Sequence, residues 1–479
     1  MTVLVPGGEE QMLGPGWDDD AKMLVFLPLV RYDEYYGGTA PKPAAAARWE
    51  PSPDYRTWTI HTNSAVRWHD GVPLTARDLA FTIALWKNPD ANYWAGPAYG
   101  DVSVVDDSTL TITYQRPTRH PLGGWDVFYP EHALAKLPAK GFEQWDFWTR
   151  PIGNGPFRYV RHVPKTSIEL HANSDFYLGK PRIDRLILKF GGGVPLNELL
   201  AGGVDVARIE GAQVQRVESD KRFRVYHDLA PARYQVFWNH RDPLFRETAV
   251  RKALTMAIDR RTLHRMLYFP PSVPLFDGIC TGRQFRNGQC GTALPYDAAA
   301  ARLALENAGW RDTNGDGVRE KGGRTFTFSL LVESQNDRVR TAVFVQEQLR
   351  RVGVAAEIKQ LESGIPRQRV LAGDFQAALG LTPNSPSHHL TFFGKKSPLG
   401  YGNARVHALL DSATVSVNPD EVDRIYTALG QIFAEDVPVT YLYPRVTFFA
   451  VTRRIRGLES PFRANPVWGA ERLWIDDGS

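Results

Sequence analysis

Between Ser64 and Trp86 the chain reads S-A-V-R-W-H-D-G-V-P-L-T-A-R-D-L-A-F-T-I-A-L-W, a run that leaves the backbone little choice. Val66 and Trp68 alternate with Arg67 and His69, the period-two pattern of a half-buried strand. Asp70-Gly71 is a tight-turn dipeptide, with glycine supplying the positive φ at little steric cost. Pro73 ends any ladder. Thr75, with Asp78 three residues on, approximates a capping box. Leu79, Ile83 and Trp86 then recur at helical spacing, which predicts an amphipathic helix packed back on the strand. The segment reads as a rigid corner with no catalytic group.

At 479 residues the chain is too long for one core and predicts two or three lobes. Its hydrophobic fraction of 43% and charged fraction of 23% are those of a soluble globular protein. A net charge of +4 is small for this length and argues against a nucleic-acid surface. The best apolar run, Met23 to Val30, is far short of the ~20 residues needed to span a bilayer. Residues 1–16 show no basic n-region and no small-residue cleavage site, so no signal peptide is expected there. Cys280 and Cys290 bracket a short polar, glycine-containing loop and read as one disulfide, in keeping with an oxidising compartment; free thiols are the alternative. A zinc site would want about four ligands, and none lies nearby.

Trp68-His69-Asp70-Gly71-Val72-Pro73-Leu74-Thr75-Ala76-Arg77-Asp78-Leu79 resembles the F/W-H-D-G-x-P-L-T-A-x-D-V signature of the family-5 extracytoplasmic solute-binding proteins, the peptide- and nickel-binding group that serves ABC importers. Pro151 to Val160 resembles that family's P-x-G-T-G-P-Y/F. Gly153 and Gly155 are expected to permit a sharp turn there, and no Lys-Ser/Thr follows to complete a phosphate loop. His171 to Phe190, Leu196 to Val206, Val250 to Arg260, Val339 to Val352 and Gly430 to Val451 continue the likeness, which runs from about residue 29 to 460.

The resemblance implies a periplasmic-binding-protein-like α/β fold, two lobes hinged by crossing strands plus an accessory α/β subdomain. Segments 1–40, 151–238 and 446–479 are expected to form the first lobe, 41–150 the accessory subdomain, and 239–445 the second ligand-binding lobe. Read locally, strands are predicted at Thr2–Val5, Thr57–Thr62, Val66–Trp68, Val102–Val105, Thr109–Tyr114, Tyr234–Asn239, Phe326–Val332 and Val354–Gln360. Leu134–Phe147 reads as mostly helical. Alternating helices and strands after Asn239 imply a mainly parallel lobe.

The implied function is capture of a small solute (oligopeptide, oligosaccharide or related) in the inter-lobe cleft by hinge closure, for delivery to a membrane permease. A monomer outside the cytoplasm is expected, with Met1 standing where a leader or lipid anchor was removed. A regulatory or sensing domain without transport is the rival, and a hydrolase the third reading. No G-x-S-x-G, H-E-x-x-H or similar constellation marks a catalyst, and no cofactor is implied. Trp94, Trp125, Trp238, Tyr401 and Trp468 are candidate aromatic platforms for the solute, each with core packing as its plainer reading. Asn239 lies where the chain crosses into the second ligand-binding lobe and is a candidate contact.

Two motifs suggest metal. Asp312 to Glu320, D-T-N-G-D-G-V-R-E, imitates a calcium loop, but the acid required at position 12 falls on Gly323, so a polar turn is preferred. His388-His389 could offer imidazoles to nickel, yet adjacent side chains diverge, so loop histidines facing the cleft are preferred. His388 is therefore taken as a ligand contact and no metal site is assigned. Finally, peptide-binding relatives carry W-x-x-D where this chain has Leu381-Thr382-Pro383-Asn384. The family aspartate meets the peptide's α-ammonium. Asn384 keeps hydrogen-bonding capacity and loses the charge.

Overall fold

The computed structural model describes residues 1–5, 19–31, 41–91, 100–118, 127–190, 195–269, 275, 278–281, 284, 289–291, 293–458, 467 and 469–476. The chain divides into two units, Met1–Leu229 with Thr447–Ser479, and Ala230–Val446. Two long strands, Phe223–Trp238 and Val439–Thr452, carry it across that division. No helix of the described residues is long and apolar enough to cross a membrane.

In the first unit, Thr2–Val5 lies between Val206–Ile209 and Arg185–Phe190, parallel to both. Ser167–Ala172 and Phe157–Val163 extend the sheet antiparallel on one side, and Val439–Thr452 pairs with Val206–Ile209 on the other. Asp205 ties the centre together. Its buried carboxylate accepts from the Thr2 N–H at 2.8 Å and from Arg454 Nε at 2.9 Å. A separate four-stranded antiparallel sheet runs Ala46–Pro51, Thr57–Thr62, Thr109–Thr113, Asp101–Asp106. Residues 41–150 belong to this unit, because one apolar core holds Val3 and Leu188 of the first sheet with Ile60 and Ile112 of the second.

The corner at Ser64–Trp86 sits in that core, with Val66, Trp68, Leu79, Ile83 and Trp86 buried. The helix Ala76–Lys87 starts on the Thr75/Asp78 box, and the other Asp78 oxygen accepts from the Glu131 N–H at 2.8 Å. Instead of a strand at Val66–Trp68 there is one bridge, Arg67 to Pro73. The Gly71 turn brings Val72 back onto Trp68 too soon for a ladder to grow. Leu134–Phe147 is likewise not one helix. A single turn, Glu131–Leu134, is followed by 3-10 turns at Phe142–Gln144 and Asp146–Thr149. Pro138 and Gly141 (φ +79°) break the run, and Phe142 packs edge-on against Trp145, Trp148 and Tyr129.

His69 locks the corner to the glycine segment. Its N–H donates to the Gly153 carbonyl at 2.7 Å, Nε2 donates to the Gly155 carbonyl at 3.1 Å, and Nδ1 accepts from the Gly153 N–H at 3.3 Å. This pattern requires the neutral ring, and burial lowers its pKa to about 4. The glycines are needed for a different reason than a turn. Neither has positive φ, but a Cβ on Gly153 would stand 1.9 Å from the Val25 carbonyl oxygen, and one on Gly155 2.6 Å from the Val25 carbonyl carbon. The backbones of two segments meet there. Arg158 seals the joint, donating to the His69 carbonyl at 2.6 Å and to Asn173 Oδ1.

The second unit is a three-layer sandwich. Ala355–Leu361, Thr327–Glu333 and Ala377–Pro383 are parallel, and Ala377–Pro383 pairs antiparallel with Ala232–Trp238. Successive side chains serve opposite faces. Val236, Trp238, Leu330, Val332, Ala377 and Leu379 enter one core with the helices Thr248–Met256, Arg260–Met266, Ala298–Asn307 and Asn336–Arg350. Phe237, Leu331 and Ala378 enter the other with Ile365–Ala372, Pro386–Phe393, Ala404–Val415 and Pro419–Asp436.

Candidate functional site

Arg233 organises the end of the sheet at which Asn384 lies. It pairs with Thr382 in register, on the sheet face that carries Phe237 four residues on. Its guanidinium is buried, donating to the Gly278 carbonyl, to Cys280 Sγ at 2.8 Å and to Asn384 Oδ1 at 3.1 Å, and it lies over the Tyr441 ring at 5.0 Å. Asn384 Nδ2 donates to the same sulfur at 3.3 Å. Cys280 and Cys290 form a disulfide, so a ten-residue separation is closed beside this pair. Next to Arg233 in the sheet, Gln235 Nε2 donates to Thr382 Oγ1 at 2.8 Å.

The histidines sit on the helix Pro386–Phe393, so the loop expectation is corrected: Pro386 at the first helical position and Ser385 before it begin a helix. Successive side chains on a helix are about 100° apart, and the two rings diverge. His388 Nδ1 faces Ser385 Oγ at 2.8 Å, whereas the buried His389 Nδ1 faces Tyr426 OH at 2.9 Å. Burial lowers both pKa values, with Arg367 adding to the effect on His388 and Arg233 to that on His389. Near neutral pH both rings are uncharged.

Other candidates are placed elsewhere. Trp238 is 0% exposed among Phe245 and Phe328, its indole N–H given to Thr440 Oγ1 at 3.0 Å. A ring with no free surface offers a solute nothing to stack on, and its place is the core. Tyr401 packs on Phe393 and Phe433 and donates to Asp436 Oδ2 at 2.6 Å. Asn239 closes the strand end by donating to the Phe375 carbonyl at 2.7 Å and accepting from the Arg241 N–H. Trp94, Trp125 and Trp468 lie outside the described residues.

In the Asp312–Glu320 loop, oxygens of Asp312, Asp316 and Glu320 come within 4.8 Å of one another. They accept from loop N–H groups: Asp312 from Gly315 and Gly317, Asp316 from Val318, and Glu320 from Thr313. Those bonds make the polar turn.

Sequence reasoning missed Arg233, placing the strand start at Tyr234. The strand runs from Phe223, and the overlooked signal was an arginine and a glutamine spaced by two on the face that also carries Phe237.

Residues 40–397 match the family described as bacterial extracellular solute-binding proteins, family 5 Middle. The chain is similar to the oligopeptide-binding protein AppA of Bacillus subtilis, 26% identical over 447 residues that cover 87% of this chain and 80% of that one. The structure of AppA with a nonapeptide superposes with a TM-score of 0.75 at 24% identity, covering 99% of each chain. NikZ from Campylobacter jejuni in complex with Ni(L-His) superposes at 0.80, with 24% identity and 99% of each chain covered. The family consists of extracytoplasmic or periplasmic substrate-binding proteins that bind peptides or other small solutes and work with ABC-transporter permeases. This chain belongs to the family-5 bacterial extracellular solute-binding proteins, the substrate-binding components of ABC importers.

Proposed function

We propose that the protein captures a solute whose gripped end is neutral or anionic, and not the free α-ammonium of a peptide. One observation carries this reading. Asn384 turns its side-chain oxygen to the Arg233 guanidinium at 3.1 Å, where the peptide-binding pattern has an aspartate. An ammonium brought there would meet a like charge, at a cost of several kcal/mol where water is scarce. A carboxylate, an N-blocked peptide or an oligosaccharide hydroxyl would meet donors. Asn384 and His388 are the contacts assigned to the solute.

Capture involves no covalent change, and the protein acts as a monomer with its permease, lipid-anchored at the membrane. The strands Phe223–Trp238 and Val439–Thr452, which pass from one unit to the other, are the covalent hinge that closure would use.

Calorimetry with a peptide mixture and its N-acetylated counterpart tests the reading, beside mass spectrometry of whatever co-purifies. Equal or better binding of the acetylated set is expected. Tight binding that requires a free N-terminus overturns it.

A further inference from the structure

Three Asn-Gly dipeptides occur in the chain, at Asn154, Asn287 and Asn314. Such a pair is chemically special, because glycine leaves the peptide nitrogen after the asparagine uncrowded and its backbone free to bend. Asn287 lies outside the described residues, and the structure treats the other two oppositely.

Asn154 is 2% exposed. Its Oδ1 accepts from the Leu27 N–H at 2.7 Å, and the Gly155 N–H is given to the Val25 carbonyl at 2.8 Å. A carbonyl oxygen holds that proton in place and does not carry it off. The Val25 backbone also leaves Gly155 no room to turn.

Asn314 and Gly315 are exposed, in the turn between Asp312 and Glu320. Gly315 has φ +77° with nothing within 4 Å of an added Cβ, so its peptide is open to movement. The Asn314 carboxamide is curled forward over that peptide, Oδ1 accepting from the Asp316 N–H at 2.9 Å and Nδ2 donating to Asp316 Oδ2 at 2.9 Å. The Gly315 N–H itself donates to Asp312 Oδ1 at 2.8 Å. A carboxylate within hydrogen-bond reach of the proton to be removed has the geometry of a general base.

We propose that Asn314 is a self-modifying site, converted to aspartate and isoaspartate with Asp312 as the base. The Gly315 nitrogen gives its proton to Asp312 and bonds to Asn314 Cγ. The Cγ–Nδ2 bond breaks, the proton passes to the departing nitrogen, and ammonia leaves behind a succinimide ring. Water then opens the ring at either carbonyl, giving aspartate or isoaspartate. The exchange is one water in and one ammonia out, with no oxidant or cofactor. Each event replaces a neutral amide with a carboxylate beside Asp312 and Asp316, so the turn gains a repulsion, and the isoaspartate form adds a carbon to its main chain. The chemistry uses neither Arg233 nor Asn384 and holds whatever the solute is.

The test is prolonged incubation of the full chain at neutral pH, followed by peptide mapping with mass spectrometry and enzymatic labelling of isoaspartate. The folded chain should convert Asn314 about a hundredfold faster than Asn154, the scale on which misplaced reacting groups slow a reaction. In guanidinium chloride, where neither site is held, the two rates should converge. Asp312→Asn keeps the side chain's shape and an acceptor for the Gly315 N–H but removes the base, so conversion at Asn314 should slow at least about tenfold. An unchanged circular dichroism spectrum and melting temperature would show that variant folded. An Asn314 that stays intact in the folded chain, or converts no faster than Asn154, overturns the proposal. So does an Asp312→Asn rate equal to the parent's, which would leave the turn reactive without its base. Aspartate formed without isoaspartate would mean direct hydrolysis of the amide, with no ring, and overturns it equally.

Discussion

Arg233, on one strand, and Asn384, one residue past the end of the neighbouring strand and 151 positions away in the chain, meet at 3.1 Å, the guanidinium donating to the carboxamide oxygen. The contact leaves the carboxamide oxygen committed to a guanidinium. Asn384→Asp would convert it to an ion pair and should cost an anionic or neutral solute at least about tenfold in affinity, through like-charge repulsion or loss of the donor. Calorimetry on parent and variant with the co-purifying solute measures this, and an unchanged Kd would count against the assignment.

The disulfide anchors Cys280, whose sulfur accepts from Arg233 beside the Gly278 carbonyl two residues earlier, to Cys290. Replacing Cys280 and Cys290 by serine removes the constraint on a loop of about ten residues, expected to cost about 3 kcal/mol of unfolding free energy. Denaturant titration reads that loss. Solute affinity should fall as well, because the Arg233 partners become mobile. A variant as stable as the parent would show that the loop is held by other contacts.

Gly71 and Gly153 belong to neighbouring motifs but should tolerate alanine differently. Gly71 has φ +91° and nothing within 4 Å of an added Cβ, so alanine there costs only backbone strain, about 1–2 kcal/mol. A Cβ on Gly153 strikes a backbone oxygen, which cannot rotate away, and about 3 kcal/mol or more is expected. Melting curves of the two variants should separate clearly, and equal losses would show that the Gly153–Val25 approach relaxes.

Three buried histidines give stability a definite pH slope. His69, His240 and His264 each have a pKa lowered to about 4, with burial the leading cause. In the unfolded chain they titrate near 6.5, so between these values the unfolded state binds more protons and stability rises with pH. Stability from this source is full above about 6.5 and is lost as pH falls toward about 4, by up to about 2 kcal/mol per histidine at pH 5. His69→Gln keeps a donor toward the Gly155 carbonyl and removes one titration. Its melting temperature should fall less steeply between about pH 7 and pH 5 than the parent's. Parallel slopes would remove His69 from the account.

What local sequence determined here is what short-range chemistry can determine. The Thr75/Asp78 box, the Gly71 turn and the apolar spacing of Leu79, Ile83 and Trp86 act within a few residues, and each stands in the structure where that chemistry puts it. The cysteine pair was legible for the same reason, since a short polar loop brings its own ends together. Strand boundaries were less legible. The bridge at Arg67 and the broken run after Leu134 depend on how early a turn closes and on which aromatics find one another.

Tertiary structure alone decided which polar and aromatic groups have free surface. Trp238, Tyr401 and Asn239 read as ligand contacts by residue type, and in the structure neighbours from distant strands and helices pack against each and take its polar atoms, with Trp238 left no exposed surface. Arg233 read as nothing, until Gly278, Cys280, Asn384 and Tyr441 converged on it. Periodicity tells which way a side chain points. What it meets there depends on residues far away in the chain.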